Sequence, residues 1–168
     1  AVQIHATSAA NSLQDAYEMI DHTAKLGVKV IVLPQFFASS SWLPSLAEAH
    51  IAANQSEATI QRVATIARQY ACVIVLPLLE KRQDKIASTA VVIGPDGELI
   101  GRYQQCHVEP EMKSWCVAGS SLPVFDTPFG RLGVILGYDG MFPEASRVLA
   151  LQGADMIAWC SACLLYTS

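Results

Sequence analysis

Two short apolar runs, at residues 28–34 and 71–79, constrain the fold of this chain more than any other feature. Both are rich in β-branched residues, which is typical of strands buried on both faces of a sheet. Segments with apolar residues at helical spacing, 11–26 and 57–69, precede them. With residues 2–5 taken as a first strand, the order is β-α-β-α-β, which predicts a layered α/β fold.

The second half of the chain adds antiparallel strands. Residues 86–93 and 98–103 flank the segment Gly94-Pro-Asp-Gly97, whose composition favours a tight hairpin turn. Further elements are predicted in chain order: strands at 124–127 and 132–136, a helix at 143–152 with Pro143 at its start and Gly153 at its end, and a strand from 156 to 159.

Composition excludes several classes of protein. The 168 residues suffice for one domain, and a net charge of −4 without a Lys/Arg cluster argues against nucleic-acid partners. No apolar run approaches the roughly 20 residues of a membrane span, and no signal-peptide pattern opens the sequence. Five cysteines, an odd number, fit a reduced chain better than a disulfide framework, so we expect a cytoplasmic protein.

The segment 131–144, RLGVILGYDGMFPE, predicts a buried strand, a tight turn and a helix. It resembles the nucleophile elbow of the nitrilase (carbon–nitrogen hydrolase) superfamily, Gly-x-x-x-Cys-Tyr-Asp-x-x-Phe-Pro-Glu. Flanking segments at 125–133, 142–147 and 151–154 are also similar to that family. The flanks match, but Gly137 stands where the family has its catalytic cysteine.

The resemblance implies a fold as well as a site. We expect a four-layer α-β-β-α sandwich of the nitrilase type, truncated because the last part of the family's domain is missing. Residues 1–162 would form this incomplete domain, and residues 163–168 read as a tail unrelated to the family.

Three catalytic landmarks of the family are replaced in this chain. The resemblance places Gln35 at the general-base glutamate, Gln105 at the lysine two residues before His107, and Gly137 at the nucleophile. An amide cannot accept a proton near neutral pH, and it brings no positive charge to an oxyanion. Glycine has no side chain with which to form a covalent intermediate. We therefore predict that this copy is catalytically inactive.

Two further groups are implied by the family. An additional glutamate that positions substrate maps to Glu111, although Glu109 is an alternative because loop spacing varies. The backbone at Tyr138 and Asp139 follows the elbow and would contribute to an oxyanion hole, that is, to binding the substrate. The amides of that backbone would persist without a thiol.

The family hydrolyses non-peptide carbon–nitrogen bonds in amides, nitriles or carbamoyl compounds, without metal or organic cofactor. The resemblance of this chain to the family implies a small-molecule partner, and it implies that the full-length protein is a homo-oligomer. An inactive hydrolase-like domain is our first interpretation. The alternatives are a pseudoenzyme that binds a small molecule or a partner chain, an active hydrolase using Cys106 with His107, and a damaged copy. The pair Cys160 and Cys163 has the spacing of half a metal or redox site, and no second pair completes it.

Overall fold

Two β-sheets pack face to face with helices on both outer sides. The computed structural model of the protein describes residues 9–37 and 43–162. The elements in chain order are α1 (Ala9–Lys25), β1 (Val30–Val32), α2 (Leu46–Tyr70), β2 (Val73–Arg82), β3 (Lys85–Ile93), β4 (Leu99–Gln104), a short 3₁₀ helix (Pro110–Met112), β5 (Val124–Thr127), β6 (Gly130–Leu136), a second 3₁₀ helix (Gly137–Met141), α3 (Pro143–Leu151) and β7 (Met156–Cys160).

The first sheet has the strand order β1-β2-β3-β4, and the second has the order β5-β6-β7. In the first sheet β1 is parallel to β2, while β2, β3 and β4 are successively antiparallel. In the second sheet β5 is antiparallel to β6, and β6 is parallel to β7. The sequence pattern predicted both parallel and antiparallel strand pairs, and the structure confirms this mixture.

Alternating side chains along β2 separate two cores. Val73 and Val75 pack between the sheets, against Val134 of β6, whereas Ile74 and Leu76 pack under α1 and α2. On the other side of the second sheet, α3 packs on Ile135 in a separate cluster. Since neighbours on a strand point to opposite faces, this alternation creates four layers. The expected α-β-β-α sandwich of the nitrilase type is therefore confirmed.

Two predicted elements differ from the structure. Helix α2 begins at Leu46 instead of residue 57, because Ser45 and Glu48 form a capping box that starts the helix earlier. Strand β2 continues to Arg82 and turns directly into β3 at Gln83, which has a left-handed φ of 55°. This hairpin lacks the glycine that usually signals such a turn. The predicted strand at 2–5 and the tail at 163–168 lie outside the described residues.

No helix within 9–37 and 43–162 is long and apolar enough to cross a membrane.

Candidate functional site

Three connecting segments bring the three replaced positions together. Gln35 lies in the turn that follows β1, Gln105 comes directly after β4, and Gly137 comes directly after β6. The Gln35 Nε2 donates a hydrogen bond to Gln105 Oε1 at 3.0 Å. A Cβ atom built on Gly137 would collide with Gln35 Oε1. The positions that the resemblance selected are therefore in mutual contact.

Gln35 is buried, with 3% of its surface exposed. Its Nε2 also donates to the Ser88 hydroxyl of β3 at 3.1 Å, which fixes the amide across the sheet. The next residue, Phe36, adopts a left-handed φ of 58°, which is uncommon for a residue other than glycine. This backbone turns the chain sharply after β1 and leaves the Gln35 side chain inside the fold.

Gln105 is fully buried and joins three segments. Its Nε2 donates to the His107 carbonyl at 2.9 Å, to Glu109 Oε2 at 3.0 Å and to the Leu136 carbonyl at 3.3 Å. All of these partners accept hydrogen bonds from a neutral amide. Gln105 therefore holds the loop after β4 against the end of β6 without introducing a charge.

Glu109 is the glutamate that the fold places in this cluster. In addition to the bond from Gln105, its Oε1 accepts the backbone N–H of Tyr138 at 3.1 Å. Burial raises the pKa of Glu109, and this effect exceeds the opposing effect of its hydrogen bonds. Glu111, to which the resemblance assigned the additional glutamate, has an exposed side chain on the first 3₁₀ helix. The structure places the alternative, Glu109, at the site.

Gly137 has a left-handed φ of 38° at the start of the second 3₁₀ helix. A side chain here would meet Gln35 Oε1 and Glu109 Oε1, both closer than real Cβ contacts occur. The Gly137 carbonyl accepts a hydrogen bond from Trp159 Nε1 at 3.0 Å, which connects the turn to β7. The space beside the elbow is thus occupied by two oxygen atoms of the chain itself.

Asp139 supports the site through its side chain, a role that the sequence analysis missed. The carboxylate is fully buried and accepts the Tyr103 hydroxyl at 2.6 Å and the Leu136 N–H at 3.1 Å. It also accepts the His107 backbone N–H at 2.8 Å and lies 2.9 Å from His107 Nδ1. Burial, with the neighbouring Asp139 charge, raises the pKa of Tyr103 well above its usual range. The ends of β4 and β6 are therefore joined by one carboxylate.

Cys106 and His107 do not form a nucleophile–base pair in the described contacts. The Cys106 Sγ lies 3.4 Å from the Ser121 carbonyl, and burial raises the pKa of its thiol. The His107 ring stacks on Phe142, with centroids 4.0 Å apart, and its Nδ1 contacts Asp139. A thiol with a raised pKa is a poor nucleophile near neutral pH.

The remaining metal and redox candidate is the pair Cys160 and Cys163, of which the structure describes Cys160. Cys160 is a buried core residue of β7, and burial raises its pKa to about 12. Cys163 lies outside the described residues. Within 9–37 and 43–162, no group of three His, Cys, Asp or Glu side chains could hold a metal ion.

Fold and site together define a sandwich of the carbon–nitrogen hydrolase type, and comparison with known proteins agrees. The family model for carbon–nitrogen hydrolases matches residues 1–164. The chain belongs to that family, the nitrilase superfamily.

Two characterised relatives are similar to the chain in sequence. The chain is 35% identical over 146 residues to a nitrilase of Pyrococcus abyssi, covering 85% of this chain and 55% of that protein. It is 28% identical over 159 residues to the human omega-amidase NIT2, covering 86% and 55%. The chain thus spans little more than half the length of these relatives.

Two solved structures show the likeness in three dimensions. A carbon–nitrogen hydrolase from Helicobacter pylori G27 superimposes with a TM-score of 0.83 at 22% identity, over 92% of this chain and 56% of the other. A double mutant of the amidase from Nesterenkonia sp. AN1, in complex with acrylamide, gives 0.80 at 25% identity, over 92% and 60%. In that mutant a glutamate is replaced by glutamine and a cysteine by alanine.

Proposed function

We propose that this chain is a carbon–nitrogen hydrolase-like domain that has lost the family's covalent chemistry and retains its site for binding a small, uncharged carbonyl compound. The observation that carries the proposal is Gly137. It has no side chain, and oxygen atoms of Gln35 and Glu109 lie where its Cβ would be. This chain therefore has no nucleophile atoms at the turn, and two side-chain oxygens take the place of its Cβ.

The surrounding residues support loss of the reaction. Gln35 and Gln105 are hydrogen-bonded to each other, so the pair that should contain a base and a cation contains two neutral amides. In a nucleophile–base system, loss of the nucleophile alone reduces turnover by about 10⁶-fold. Among the residues that the structure describes, Glu109 is the carboxyl group bonded to this pair, and its oxygens accept hydrogen bonds from Gln105 and Tyr138.

The same residues support binding. The backbone N–H of Tyr138 and the side-chain Nε2 of Gln105 each donate to one oxygen of the Glu109 carboxyl group, so this part of the site offers hydrogen-bond donors to a planar acceptor. Relatives of the chain include a nitrilase and an omega-amidase, whose names indicate small nitrile or amide substrates. The solved amidase double mutant holds acrylamide although a glutamate and a cysteine are replaced. Binding can therefore survive such replacements in a protein of this fold.

We propose in addition that the domain associates with itself. Ile157 and Trp159 lie on the outer face of β7 and are 39% and 50% exposed. Helix α3 packs on Ile135 of the neighbouring β6, so the cover of this sheet stops short of β7 in the described residues. Exposed apolar side chains of this size favour contact with another protein surface.

The test of lost chemistry is a turnover assay of the purified chain on simple amides, nitriles and carbamoyl compounds under reducing conditions, with an active amidase as positive control. We expect no turnover above the uncatalysed rate. Turnover that iodoacetamide abolishes would overturn the proposal and direct attention to Cys106. Turnover that iodoacetamide leaves unchanged would overturn it equally, and would indicate a mechanism without a thiol.

A further inference from the structure

We infer that β7 pairs with β7 of a second copy of this chain, so that the second sheets of the two copies join into one six-stranded sheet. This pairing rests on the proposed self-association and specifies its surface. In the second sheet β7 bonds to β6 on one side, and no strand of the described residues lies on its other side. The outward backbone groups of β7 are therefore open to pairing with another strand.

The other three edge strands of the described residues carry features that discourage such pairing, and β7 carries none. β1 has only three residues, β4 contains Arg102, and β5 contains Asp126 and has a proline on either side. β7, Met156–Cys160, has no charge and no proline, and its register with β6 runs without a bulge. Short length, charge, proline and bulges are the usual protection of a sheet edge, so β7 is the unprotected edge in this part of the chain.

The sequence of β7 is complementary to itself in an antiparallel register centred on Ala158. In that register Ile157 of each copy lies opposite Trp159 of the other, and both side chains are on the outer face, where they are 39% and 50% exposed. An aromatic residue directly opposite a β-branched residue is a stabilising cross-strand pair. The dimer contains this pair twice, because the arrangement has two-fold symmetry. A second copy therefore fits the edge.

The charges beside β7 do not oppose this register. Asp155 directly precedes the strand, and it would lie opposite the uncharged Ser161 instead of opposite its own counterpart. Its carboxylate accepts the backbone N–H of Arg131 at 2.8 Å, which holds it toward β6 and away from the free edge. Like charges are therefore not placed opposite each other in the joined sheet.

Trp159 is already fixed in position for the contact. Its Nε1 donates to the Gly137 carbonyl at 3.0 Å, and its ring lies against Gly140, where a Cβ would collide with ring atoms. A side chain held in this way loses little conformational freedom when a partner covers it. The same hydrogen bond connects the proposed interface to the turn of the candidate site.

The pairing closes at two copies. Once the two β7 strands are paired, both ends of the joined sheet are β5 strands, which Asp126 and the flanking prolines protect. A two-fold contact uses the same strand on both copies and leaves no unpaired β7. We therefore expect a dimer and no larger assembly.

Hydrogen–deuterium exchange of the full chain, measured by mass spectrometry below and above the association midpoint from sedimentation velocity, tests the backbone pairing. We expect the β7 amides to exchange more slowly in the associated form, because they then donate to the second copy. β5 is the matched control, since it is the other edge of the same sheet and should exchange equally at all concentrations. An associated form without added protection of β7 would overturn the pairing. Protection of β7 that does not change with concentration would also overturn it, and would indicate that a segment of the same chain covers the edge.

A pair of complementary variants tests the register. Ile157→Lys and Trp159→Glu should each associate about tenfold more weakly than the unmodified chain, because each loses both cross-strand pairs. Their equimolar mixture should recover association, because the mixed dimer has one lysine–glutamate pair and one unaltered pair. Ile51→Lys, at a 58% exposed position on α2, is the control and should associate like the unmodified chain.

No recovery in the mixture would overturn the register centred on Ala158. The exchange measurement needs no variant, and it decides the pairing if Trp159→Glu does not fold. A chain that is monomeric at all concentrations overturns the proposed self-association and the pairing with it. A chain that associates without protection of β7, or into assemblies larger than a dimer, overturns the pairing alone and leaves the self-association standing.

Discussion

Replacing Gly137 by alanine tests whether the site has closed around the missing side chain. Gly137 has a φ of 38°, and a left-handed conformation costs a residue with a Cβ about 1–2 kcal/mol. The new Cβ must also displace two side-chain oxygens, Gln35 Oε1 and Glu109 Oε1. Gln105 keeps two carbonyl partners when Glu109 moves, whereas the Tyr138 N–H loses its described partner. A buried donor left without a partner costs about 1–3 kcal/mol.

The sum is a loss of about 2–5 kcal/mol in the free energy of unfolding for Gly137→Ala. Gly27→Ala is the matched control, because Gly27 has a φ of 79° and no atom within 4 Å of its hypothetical Cβ. It should lose only the conformational part, about 1–2 kcal/mol. Urea denaturation, with midpoint and slope compared among variants, measures both losses.

A double-mutant cycle separates the collision from the backbone strain. Glu109→Ala already leaves the Tyr138 N–H without its partner, so adding Gly137→Ala should cost only the conformational part and the displacement of Gln35 Oε1. The cycle should therefore show a favourable coupling of about 1–3 kcal/mol between the two substitutions. Losses that add within about 0.5 kcal/mol would refute the reasoning, because Glu109 would then not occupy the space beside Gly137.

Three further expectations follow from the same contacts. Gly137→Cys alone should form no acyl-enzyme with simple amides, as measured by mass spectrometry. The triple variant that also carries Gln35→Glu and Gln105→Lys should form it, and equal acylation of the two variants would contradict this expectation. The Tyr138 amide signal should titrate with Glu109 at a midpoint above the ordinary glutamate range. The free energy of unfolding should fall as pH rises from the ordinary glutamate pKa to this midpoint, because the unfolded chain releases the Glu109 proton first. A midpoint in the ordinary range would show that Glu109 is solvated. Ile157→Lys should reduce self-association in sedimentation velocity relative to Ile51→Lys, an exposed site on α2; a monomeric parent chain would remove the basis for the comparison and for the proposed self-association.

Local patterns predicted most of the fold. The apolar runs, the Gly94–Gly97 turn and the strand-turn-helix around Gly137 are encoded by neighbouring residues, and they reappear as β2, the β3–β4 hairpin and the β6–α3 unit. The start of α2 was missed because its first turns are rich in alanine and small polar residues, which give little amphipathic contrast. There the capping box was the better signal.

The sequence by itself determined what three positions can offer: Gln35 and Gln105 are neutral amides, which are not bases, and Gly137 has no side chain to act as a nucleophile. Only the tertiary structure decided which groups fill the site. Glu109 and Glu111 are equivalent as sequence, and they differ because one points toward the end of β6 while the other is exposed on the 3₁₀ helix. The role of the Asp139 carboxylate also depends on tertiary structure. One of its partners is the hydroxyl of Tyr103 on β4, which is distant in sequence, and another is the N–H of Leu136, which the turn after β6 brings close. Contacts between distant segments depend on how layers pack, and no local pattern of residues records that packing.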